Sequence, residues 1–596
     1  MPSYTAPVAD TMFLLTAVFP LSRYENSPRF ADAPIDVVEA ILTEGGKFAS
    51  EVLQPLNLPG DQEGCRRLDD GSVVTPKGFK EAYKQFVEGG WVGISGSPTY
   101  GGQGLPHFVN LALSEYTLAA NLAFTMYPSL TKGATEALLA HANDALKDRY
   151  LPKMTTGEWT GTMNLTEPHA GTDLGLTKTR AVRRDDGSFS ISGQKIFISA
   201  GEHDLAENII HLVLARIEAA PAGVKGISLF VVPKVLVNDD GSLGERNGVS
   251  CGSIEHKMGI HANSTCVMNY DGAQGWLVGE ENRGLNAMFV MMNAARLDVA
   301  IQGLAQSEAA YQNAAAYAKE RLQGRALTGA KEPGKLADPI LVHPDVRRML
   351  LEIRAFNEAA RALMIWAALS LDEAHEFPDP EVRQAADDRL GLLTPVLKGM
   401  FTDAGFANAV KAQQVLGGHG YVAEWGMEQF VRDARITMIY EGANGIQALD
   451  LVGRKLTKDG GRAMKAFLGE ARDFITDGKR DPALSEYLAP LEGALGQLEQ
   501  ATIWIAERAK SNPDEIGAAS TEYLHLFGLT ALAYMWAKIV TAVLARQAAG
   551  TSNPELDAKL ALARFFNARV LPQTAAHLAK LRSGAEPLMA LPIDAF

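Results

Sequence analysis

The sequence predicts a mainly α-helical protein with a small central antiparallel β-domain. Apolar residues recur at helical spacing before residue 158 and again after residue 281. Between Gly161 and Trp276, short β-branched runs lie between Asp-Gly, Gly and Pro turns, which is typical of antiparallel strands. A length of 596 residues allows several domains, each with a core of its own.

The first helical region extends from Val37 to Lys153 and includes a predicted helix at Thr135–Tyr150. A turn-rich segment, Ser95–Pro106, lies in its middle. The strands of the β-domain are predicted at Ser188–Ile191, Ile209–Ile217 and Ile227–Val232.

Helices return after the β-domain, first at Leu285–Arg321, where the apolar residues fall on one face. A second helix is predicted to start at His343-Pro344, and a third is predicted over Pro395–Leu416. The last helices are predicted at Asp481–Lys510, Glu515–Gln547 and Glu555–Leu581. The predicted domains are an N-terminal extension 1–33, a helical domain 34–158, a β-domain 159–280, a helical bundle 281–456 and an additional helical domain 457–596.

Composition excludes several classes of protein. With 56 Lys and Arg against 70 Asp and Glu, the net charge is −14, which disfavours nucleic-acid binding. The isolated cysteines Cys65, Cys251 and Cys266 share no metal-ligand spacing and fit a reducing compartment. The most apolar helical stretch, Leu529–Ala545, contains Lys538 and is shorter than a membrane span. We therefore expect a cytoplasmic protein without a metal site or a membrane segment.

The segment Met163–Asp173 suits ligand binding. The hydroxyl groups of Thr166 and Thr172, with the small residues Ala170 and Gly171, are typical of a loop that wraps a phosphate-bearing ligand with backbone N–H groups. A polar surface turn is the alternative interpretation.

The segment Gly193–Gly201 is predicted to be a strand. Side chains alternate along a strand, so Phe197 and Ser199 should point to the same side and could face an aromatic ring system. Ordinary alternation in a half-buried strand explains the pattern equally well.

Two segments near residue 440 add a candidate acid–base residue. The glycine cluster in Gln413–Tyr421 ends a helix, where glycines are ordinarily C-caps. In Tyr440–Gln447, Glu441 follows apolar residues and precedes Gly442, which leaves room for a ligand beside its carboxylate. A general base is the sharper hypothesis, and a solvated loop carboxylate is the alternative.

Taken in order, these segments resemble the acyl-CoA dehydrogenase family, FAD enzymes that introduce a trans-2 double bond into acyl-CoA thioesters. The resemblance covers about residues 34–456 and implies a helical N-terminal domain, a β-barrel-like middle domain and a four-helix bundle. The motifs that carry it are Tyr100–Gly104, Leu165–Asp173, Gly193–Ser199, Tyr317–Arg321, Gln414–Gly418 and Tyr440–Gly442.

The resemblance implies a role for each matching residue. Glu441 would remove the α-proton, with its pKa raised by burial, while the β-hydride leaves to the flavin. Thr166 and Ser199 would hydrogen-bond the flavin ring, and Phe197 would stack on it. The implied FAD-binding set is Met163, Thr166, Gly171, Thr172, Phe197, Ile198, Ser199, Arg321, Gln414, Val415, Leu416, Gly417, Gly418, Ala443, Asn444 and Gly445. The implied substrate-binding set is Thr172, Asn293, Arg296 and Gly442.

Some positions depart from the family pattern. Ala443 and Gly445 stand where relatives often have a Thr and a longer polar residue, so contacts there would come from the backbone. Asn293 replaces the usual acid near the CoA, and the residues after Arg321 lack the usual Phe.

The helical tail and the Tyr4–Phe19 extension resemble the long subgroup of the family, which includes 3-methylthiopropanoyl-CoA dehydrogenases of dimethylsulfoniopropionate degradation. This implies a short thioether acyl-CoA substrate, with a medium- or long-chain fatty acyl-CoA as the alternative. The Met288, Met291 and Met292 cluster could form a soft pocket wall, or simply pack in the core. The basic residues from Arg454 to Lys465 are interpreted as a helix-end charge cluster.

The resemblance also implies partners. Electrons would pass to electron-transferring flavoprotein, and Arg321 with Gln414–Gly418 would bind the adenine half of an FAD held by a neighbouring subunit. We therefore expect a homo-oligomer and favour a dimer. An acyl-CoA oxidase that reduces oxygen is an alternative enzyme, and an inactive flavoprotein is a third reading, which the presence of Glu441 disfavours.

Overall fold

The computed structural model of the chain describes residues 2–24 and 27–596. The α-helices are α1 Val8–Phe13, α2 Ile35–Phe48, α3 Gln54–Glu63, α4 Phe79–Glu88, α5 His107–Ala120, α6 Leu122–His141, α7 Asp144–Thr156, α8 Gly284–Glu320, α9 Pro344–Glu376, α10 Pro380–Val415, α11 Gly418–Tyr421, α12 Met427–Thr437, α13 Asn444–Asp450, α14 Arg462–Gly478, α15 Ser485–Arg508, α16 Asp514–Ala548, α17 Pro554–Phe565, α18 Gln573–Arg582 and α19 Glu586–Met589. The strands are β1 Arg66–Arg67, β2 Val73–Val74, β3 Trp159–Asn164, β4 Arg180–Arg183, β5 Phe189–Ser199, β6 Asn208–Ile217, β7 Ile227–Pro233, β8 Val235–Val237, β9 Leu243–Arg246, β10 Val249–Ile254 and β11 Thr265–Val278.

The chain divides into two compact units. The helical unit comprises Met1–Gly46, Leu111–Ala119 and Val299–Phe596. The sheet unit comprises Lys47–Asn110 and Ala120–Asp298. The predicted fold class, mainly helical with a central β-domain and further helices after residue 456, is confirmed.

The main sheet of the sheet unit is mixed, so the expectation of a wholly antiparallel β-domain was wrong. Its strand order is β10-β11-β5-β4-β6-β3, and β7 pairs with both β11 and β6. The strand β6 runs parallel to β3 and to β4, whereas the other pairs are antiparallel. A parallel pair requires a long crossover. The segment between β3 and β6, with its own hairpin of β4 and β5, supplies that connection.

A hydrophobic core lies between this sheet and the helices of the same unit. Met288 and Met291 are fully buried in it, beside Trp159 and Tyr150, and Met292 packs against it. The methionine cluster is therefore part of the core of the sheet unit, which supports the packing interpretation of these residues.

In the helical unit, α8 and α10 approach closely at two glycines. A Cβ on Gly303 would lie 2.3 Å from Phe401 O, and one on Gly405 would lie 2.3 Å from Gly303 O. Only glycine allows this backbone contact, which fixes the position of α10. The residues of α10 around Thr402 turn toward the loop that carries Glu441, as described below.

Three helix boundaries differ from the predictions. The helix α10 begins at Pro380, capped by the Asp379 side chain, and it continues through Pro395. Burial of the middle of α10 outweighs the cost of about 3 kcal/mol for an internal proline. The helices α6 and α7 are separate because Asn143 caps the start of α7. The last predicted helix is likewise broken, at Pro572, between α17 and α18.

The basic residues after residue 450 do not form one helix-end cluster. Arg454 and Lys455 lie in a π-helical turn, Leu451–Lys455, that extends α13. Arg462 instead begins α14, where the helix dipole disfavours a cation, and its Nη2 atom lies 2.9 Å from Asp388 Oδ1. For Arg462 the interpretation as a helix C-terminal charge was therefore wrong.

Buried ion pairs connect the N-terminal segment to distant helices of the same unit. Asp10 Oδ2 lies 2.6 Å from Arg361 Nη1, and its other oxygen is bound by Lys559. Arg361 also contacts Glu115 at 2.6 Å. Burial raises the pKa of Asp10, but Lys559 and Arg361 outweigh it and hold the pKa at about 2.

Among the described residues, one helix, α16, is long and apolar enough to cross a membrane, although its stretch Leu529–Ala545 was predicted to be too short. Of its most apolar 18-residue window, 89% is buried inside the protein, which is the pattern of a core helix.

Candidate functional site

The sheet unit holds the predicted flavin-binding segment Leu165–Asp173, called the flavin loop below, which continues from the buried strand β3. Glu167, in this loop, is 3% exposed, and Lys195 Nζ lies 2.8 Å from its Oε1 atom. The backbone N–H of Lys178 and the hydroxyl of Thr179 also donate to this carboxylate. Lys195 Nζ further donates to Leu165 O at 2.9 Å, so the buried lysine fixes the beginning of the loop.

The charges of this pair are set by burial and by each other. Burial raises the pKa of Glu167, but Lys195 and the hydrogen bonds outweigh it and hold the pKa below its usual value. Burial lowers the pKa of Lys195 to about 8, and Glu167 opposes that shift. The Glu167 carboxylate is therefore a buried anion that holds the loop through Lys195, Lys178 and Thr179.

The tip of the same loop is open. Glu167 and Ala170 bond to each other through their backbones, which makes a tight turn. Gly171 and Thr172 follow it, both exposed, and no atom lies within 4 Å of a Cβ built on Gly171. Thr166 is half-buried, and its carbonyl accepts a hydrogen bond from Ile196 N at 2.9 Å.

Strand β5 presents the predicted stacking residue. Phe197 is 60% exposed and has φ +58°, a conformation that non-glycine residues rarely adopt. Lys195 pairs with Met268 and Ile198 with Cys266, so a β-bulge lies at Phe197. The regular strand pairing is interrupted there, but burial still alternates beyond it, from exposed Phe197 through buried Ile198 to half-buried Ser199.

The remaining predicted residues of the sheet unit lie on β3, on β5 and on α8. Met163 is half-buried against the core, Ile198 is buried, and Ser199 is half-buried and pairs with Thr265. On α8, Arg296 is 8% exposed, whereas Asn293, almost one turn earlier, is exposed.

The helical unit holds Glu441, in the loop between α12 and α13. Glu441 has φ +59° and Gly442 has φ +85°, so two consecutive residues adopt left-handed backbone. Such strain persists only where the surroundings fix it, and it is often found at functional sites. Both the predicted base and the predicted stacking residue, Phe197, are non-glycine residues of this kind.

Side chains around this loop hold its backbone. Gln447 Nε2 donates to Glu441 O at 3.0 Å and to Gly442 O at 3.1 Å. Lys398 of α10 is fully buried, and its Nζ donates to Gly442 O at 2.9 Å. The hydroxyl of Tyr440 donates to Gln302 of α8.

Asn444 bonds to α10 through its whole amide group. Its Oδ1 accepts from Lys398 Nζ at 2.9 Å, and its Nδ2 donates to Asp403 Oδ1 at 2.7 Å and to Thr402 Oγ1 at 2.9 Å. A contact of Asn444 with a cofactor would therefore come from its backbone. The neighbouring Ala443 and Gly445 are exposed.

The glycine segment that ends α10 is also open. Val415 and Leu416 are buried, whereas Gln414 is exposed. Gly417 has φ +58°, and a Cβ on Gly417 or Gly418 would meet no atom within 4 Å.

Aromatic residues of the same unit lie beside these glycines. Tyr317 OH is 2.8 Å from His419 Nδ1, and the His419 ring stacks on Trp425 at 4.6 Å. Arg321 is exposed just after α8, and its carbonyl accepts from Ile340 N.

Sequence reasoning missed Lys195, Lys398 and Gln447 as supports of the site. A signal was present for Lys398, a single lysine within the apolar run Leu392–Phe401. A fully buried lysine must have hydrogen-bond partners, because burying an uncompensated ammonium group is costly.

Four family descriptions match the chain in succession. "Acyl-CoA dehydrogenase, N-terminal domain" matches residues 42–158, "Acyl-CoA dehydrogenase, middle domain" matches 162–273, and "Acyl-CoA dehydrogenase, C-terminal domain" matches 282–456. "Acetyl-CoA dehydrogenase C-terminal like" matches residues 467–592.

Individual proteins are similar over almost the whole chain. A 3-methylmercaptopropionyl-CoA dehydrogenase of Ruegeria pomeroyi is 42% identical, over 98% of this chain and 99% of its own. A butyryl-CoA dehydrogenase of Syntrophomonas wolfei is 34% identical, over 94% of each chain. The crystal structure of a Bacillus anthracis acyl-CoA dehydrogenase complexed with FAD matches with a TM-score of 0.74 and 21% identity, over 96% of this chain and 91% of its own, which shows a shared fold.

Proposed function

Because the chain belongs to the acyl-CoA dehydrogenase family, we propose that it is an FAD-dependent oxidoreductase that converts a short acyl-CoA, 3-methylthiopropanoyl-CoA first of all, to its trans-2-enoyl-CoA. The observation that carries the substrate is the 42% identity, along nearly the full length of both chains, to a 3-methylmercaptopropionyl-CoA dehydrogenase. The family and the oxidoreductase class predicted from the sequence are confirmed.

The residues present fit FAD as the cofactor. In the sheet unit, the exposed ring of Phe197 offers a flat face to a planar ring system. The open backbone at Gly171 leaves space for a pyrophosphate to approach N–H groups without a side chain in the way. Bound FAD supplies the acceptor for the β-hydride.

Glu441 is the proposed base. A thioester α-proton is weakly acidic, so its removal requires a positioned carboxylate together with hydrogen bonds to the carbonyl oxygen where negative charge develops. The left-handed backbone at Glu441, held by Gln447 and Lys398, fixes the origin of the carboxylate side chain. We assign one of the carbonyl hydrogen bonds to the Glu441 backbone N–H, as the family resemblance implies.

The substrate assignment is tested by comparing kcat/KM for 3-methylthiopropanoyl-CoA with the C4, C8 and C16 acyl-CoAs. A thioether is nearly isosteric with a methylene, and an apolar pocket separates such pairs by about 1–3 kcal/mol. We therefore expect butanoyl- and hexanoyl-CoA to react with lower efficiency. An optimum at C8 or longer, with the thioether substrate inert, would defeat this assignment and leave the family unchanged.

We further propose a cytoplasmic homodimer that passes its electrons to electron-transferring flavoprotein. Arg321 and the open Gly417-Gly418 segment of the helical unit match the family segments that contact the adenine half of a neighbour's FAD. Light scattering that finds an FAD-loaded monomer would contradict shared sites. Stoichiometric peroxide release during aerobic turnover would favour an oxidase over the proposed electron partner.

A further inference from the structure

The helices after residue 456 reach the loop of Glu441 through one carboxylate of α10. We infer that these helices position the catalytic base, with His525 of α16 acting through Asp403 and Asn444. The inference rests on the proposed function, since it takes Glu441 as the base. It gives the additional helical region a role in the reaction itself.

The first step is the strained loop. Two successive left-handed residues, Glu441 and Gly442, cost free energy that nearby contacts must offset. The carbonyls of both residues accept hydrogen bonds from Gln447, and that of Gly442 also accepts one from Lys398. The direction of the Glu441 side chain thus depends on where these donors lie.

The second step is Asn444, which begins α13 immediately after the loop. Its Oδ1 shares Lys398 Nζ with Gly442 O, at 2.9 Å each. Its Nδ2 donates to Asp403 Oδ1 at 2.7 Å. A shift of Asp403 would therefore move Asn444, and with it the lysine that holds the loop.

The third step connects Asp403 to the C-terminal helices. Its second oxygen, Oδ2, lies 3.1 Å from His525 Nε2. The His525 ring stacks on His577 of α18 at 5.4 Å, with 13° between the ring planes. His577 Nδ1 lies 2.5 Å from Glu522 Oε2 of α16, so the imidazole pair is itself fixed. Asp403 thus receives one contact from the loop and one from the additional helices.

This chain of contacts is suited to positioning rather than to stability. Asp403 and His525 are each about one quarter exposed, and such pairs contribute little to the free energy of unfolding. A misplacement of about 1 Å can nevertheless lower a rate by up to about 10²-fold. Loss of the contact should therefore reduce turnover far more than it reduces the free energy of unfolding.

The test uses the full-length, FAD-loaded protein with His525→Leu, which removes the contact, and His525→Gln, which keeps an N–H donor. Arg564→Gln is the matched control, because it breaks an exposed pair with Glu486 within the same helical region. The readouts are kcat, KM, bound FAD, and exchange of the α-protons of acetyl-CoA with deuterated solvent. Acetyl-CoA has no β-carbon, so its exchange reports on the base alone.

We expect His525→Leu to lower kcat and the exchange rate by about tenfold, with KM and FAD content within twofold of wild type. His525→Gln should restore both rates to within twofold, and Arg564→Gln should change neither. If His525→Leu does not fold, His525→Asn, which is polar but too short to reach Asp403, replaces it with the same expected loss. Unchanged rates in the folded variant, or an equal loss in Arg564→Gln, overturn the inference.

Glu441→Gln in the same exchange assay separates this inference from the proposed function. If Glu441→Gln exchanges protons at the wild-type rate, the base assignment fails, and the inference falls with it. If Glu441→Gln is silent and His525→Leu is unaffected, the base stands and only the positioning role is lost.

Discussion

Two loops carry the predicted active-site residues, one in each unit, and a fully buried lysine holds each of them. Lys195 binds the flavin loop through Leu165 O and the carboxylate of Glu167. Lys398 binds the base loop through Gly442 O and the amide oxygen of Asn444. In both loops the lysine orders backbone that carries predicted site residues. The difference is the acceptor that accompanies the carbonyl, a carboxylate in the first loop and a neutral amide in the second.

Because of this difference, the two loops should respond differently to the loss of their lysine. Removing one member of a buried ion pair leaves an uncompensated charge, so the flavin loop depends on Lys195 for folding. The acceptors of Lys398 in the base loop are neutral, so its removal leaves no buried charge, and the loss is limited to hydrogen bonds of about 1.5–3 kcal/mol each from the ammonium group. Loss of these hydrogen bonds should shift the strained backbone at Glu441 and lower the turnover rate more than the free energy of unfolding.

The largest expected effect comes from Glu441→Gln, which removes the proton acceptor and leaves both lysines in place. We expect the flavin to remain bound and turnover to fall by about 10²- to 10⁴-fold, the range typical of a lost general base. Steady-state assays with 3-methylthiopropanoyl-CoA and the flavin absorbance measure both quantities. Retention of substantial turnover would move the base elsewhere in the chain.

How much of this site could be predicted depends on whether its signals are local. Glu441 and Gly171 stand within short motifs of glycine, hydroxyl and acid residues that can be read from neighbouring positions. Lys398 holds a carbonyl 44 residues farther along the chain, and that pairing exists only once α10 packs against the loop. The parallel pairing of β3 with β6 was missed for the same reason, because strand runs alone do not specify the crossover between them.

Lys195→Met tests the ion-pair side of the comparison. It leaves Glu167 buried without its lysine, and breaking a buried pair in this way costs about 3–5 kcal/mol. We expect a lower thermal midpoint and weak FAD binding. Lys84→Met, which breaks the exposed pair with Glu88, is the control and should shift the midpoint little. Equal midpoints for the two variants would show that Lys195 does not hold the loop.

Two buried histidines contact β3, the strand that leads into the flavin loop, and they predict that stability depends on pH. On β3, Thr160 Oγ1 lies 2.9 Å from His203 Nε2, and Thr162 Oγ1 lies 2.7 Å from His211 Nδ1. Burial lowers the pKa of both imidazoles to about 3. Between that value and about 6.5 the unfolded chain binds protons that the folded one does not, so stability falls as the pH falls, by about 1.4 kcal/mol per pH unit for each histidine.

Chemical denaturation at several pH values between 7 and 5 measures this slope. His211→Gln should remove about half of the contribution of the pair. His256→Gln replaces an exposed histidine of the same unit and should leave the slope unchanged. A slope in His211→Gln identical to that of wild type would contradict a buried neutral imidazole.

The smallest effect is expected from Gly171→Ala. This substitution compares the flavin loop, which is open at Gly171, with the base loop, which side chains contact at Gly442. A Cβ on Gly171 meets no atom within 4 Å, so the methyl group should leave the fold and the thermal midpoint of the FAD-free protein unchanged. It would stand where backbone N–H groups are proposed to meet the pyrophosphate, and we expect FAD affinity to fall by about three- to tenfold, or 0.6–1.4 kcal/mol.

Gly442→Ala is the opposite case, because its Cβ would lie 2.8 Å from Gln447 Nε2 at φ +85°, so it should lower kcat with FAD affinity retained. Titration of the FAD-free proteins by flavin fluorescence, with Gly334→Ala as an open-loop control, measures the affinities, and an unchanged FAD affinity in Gly171→Ala would remove the pyrophosphate from this position.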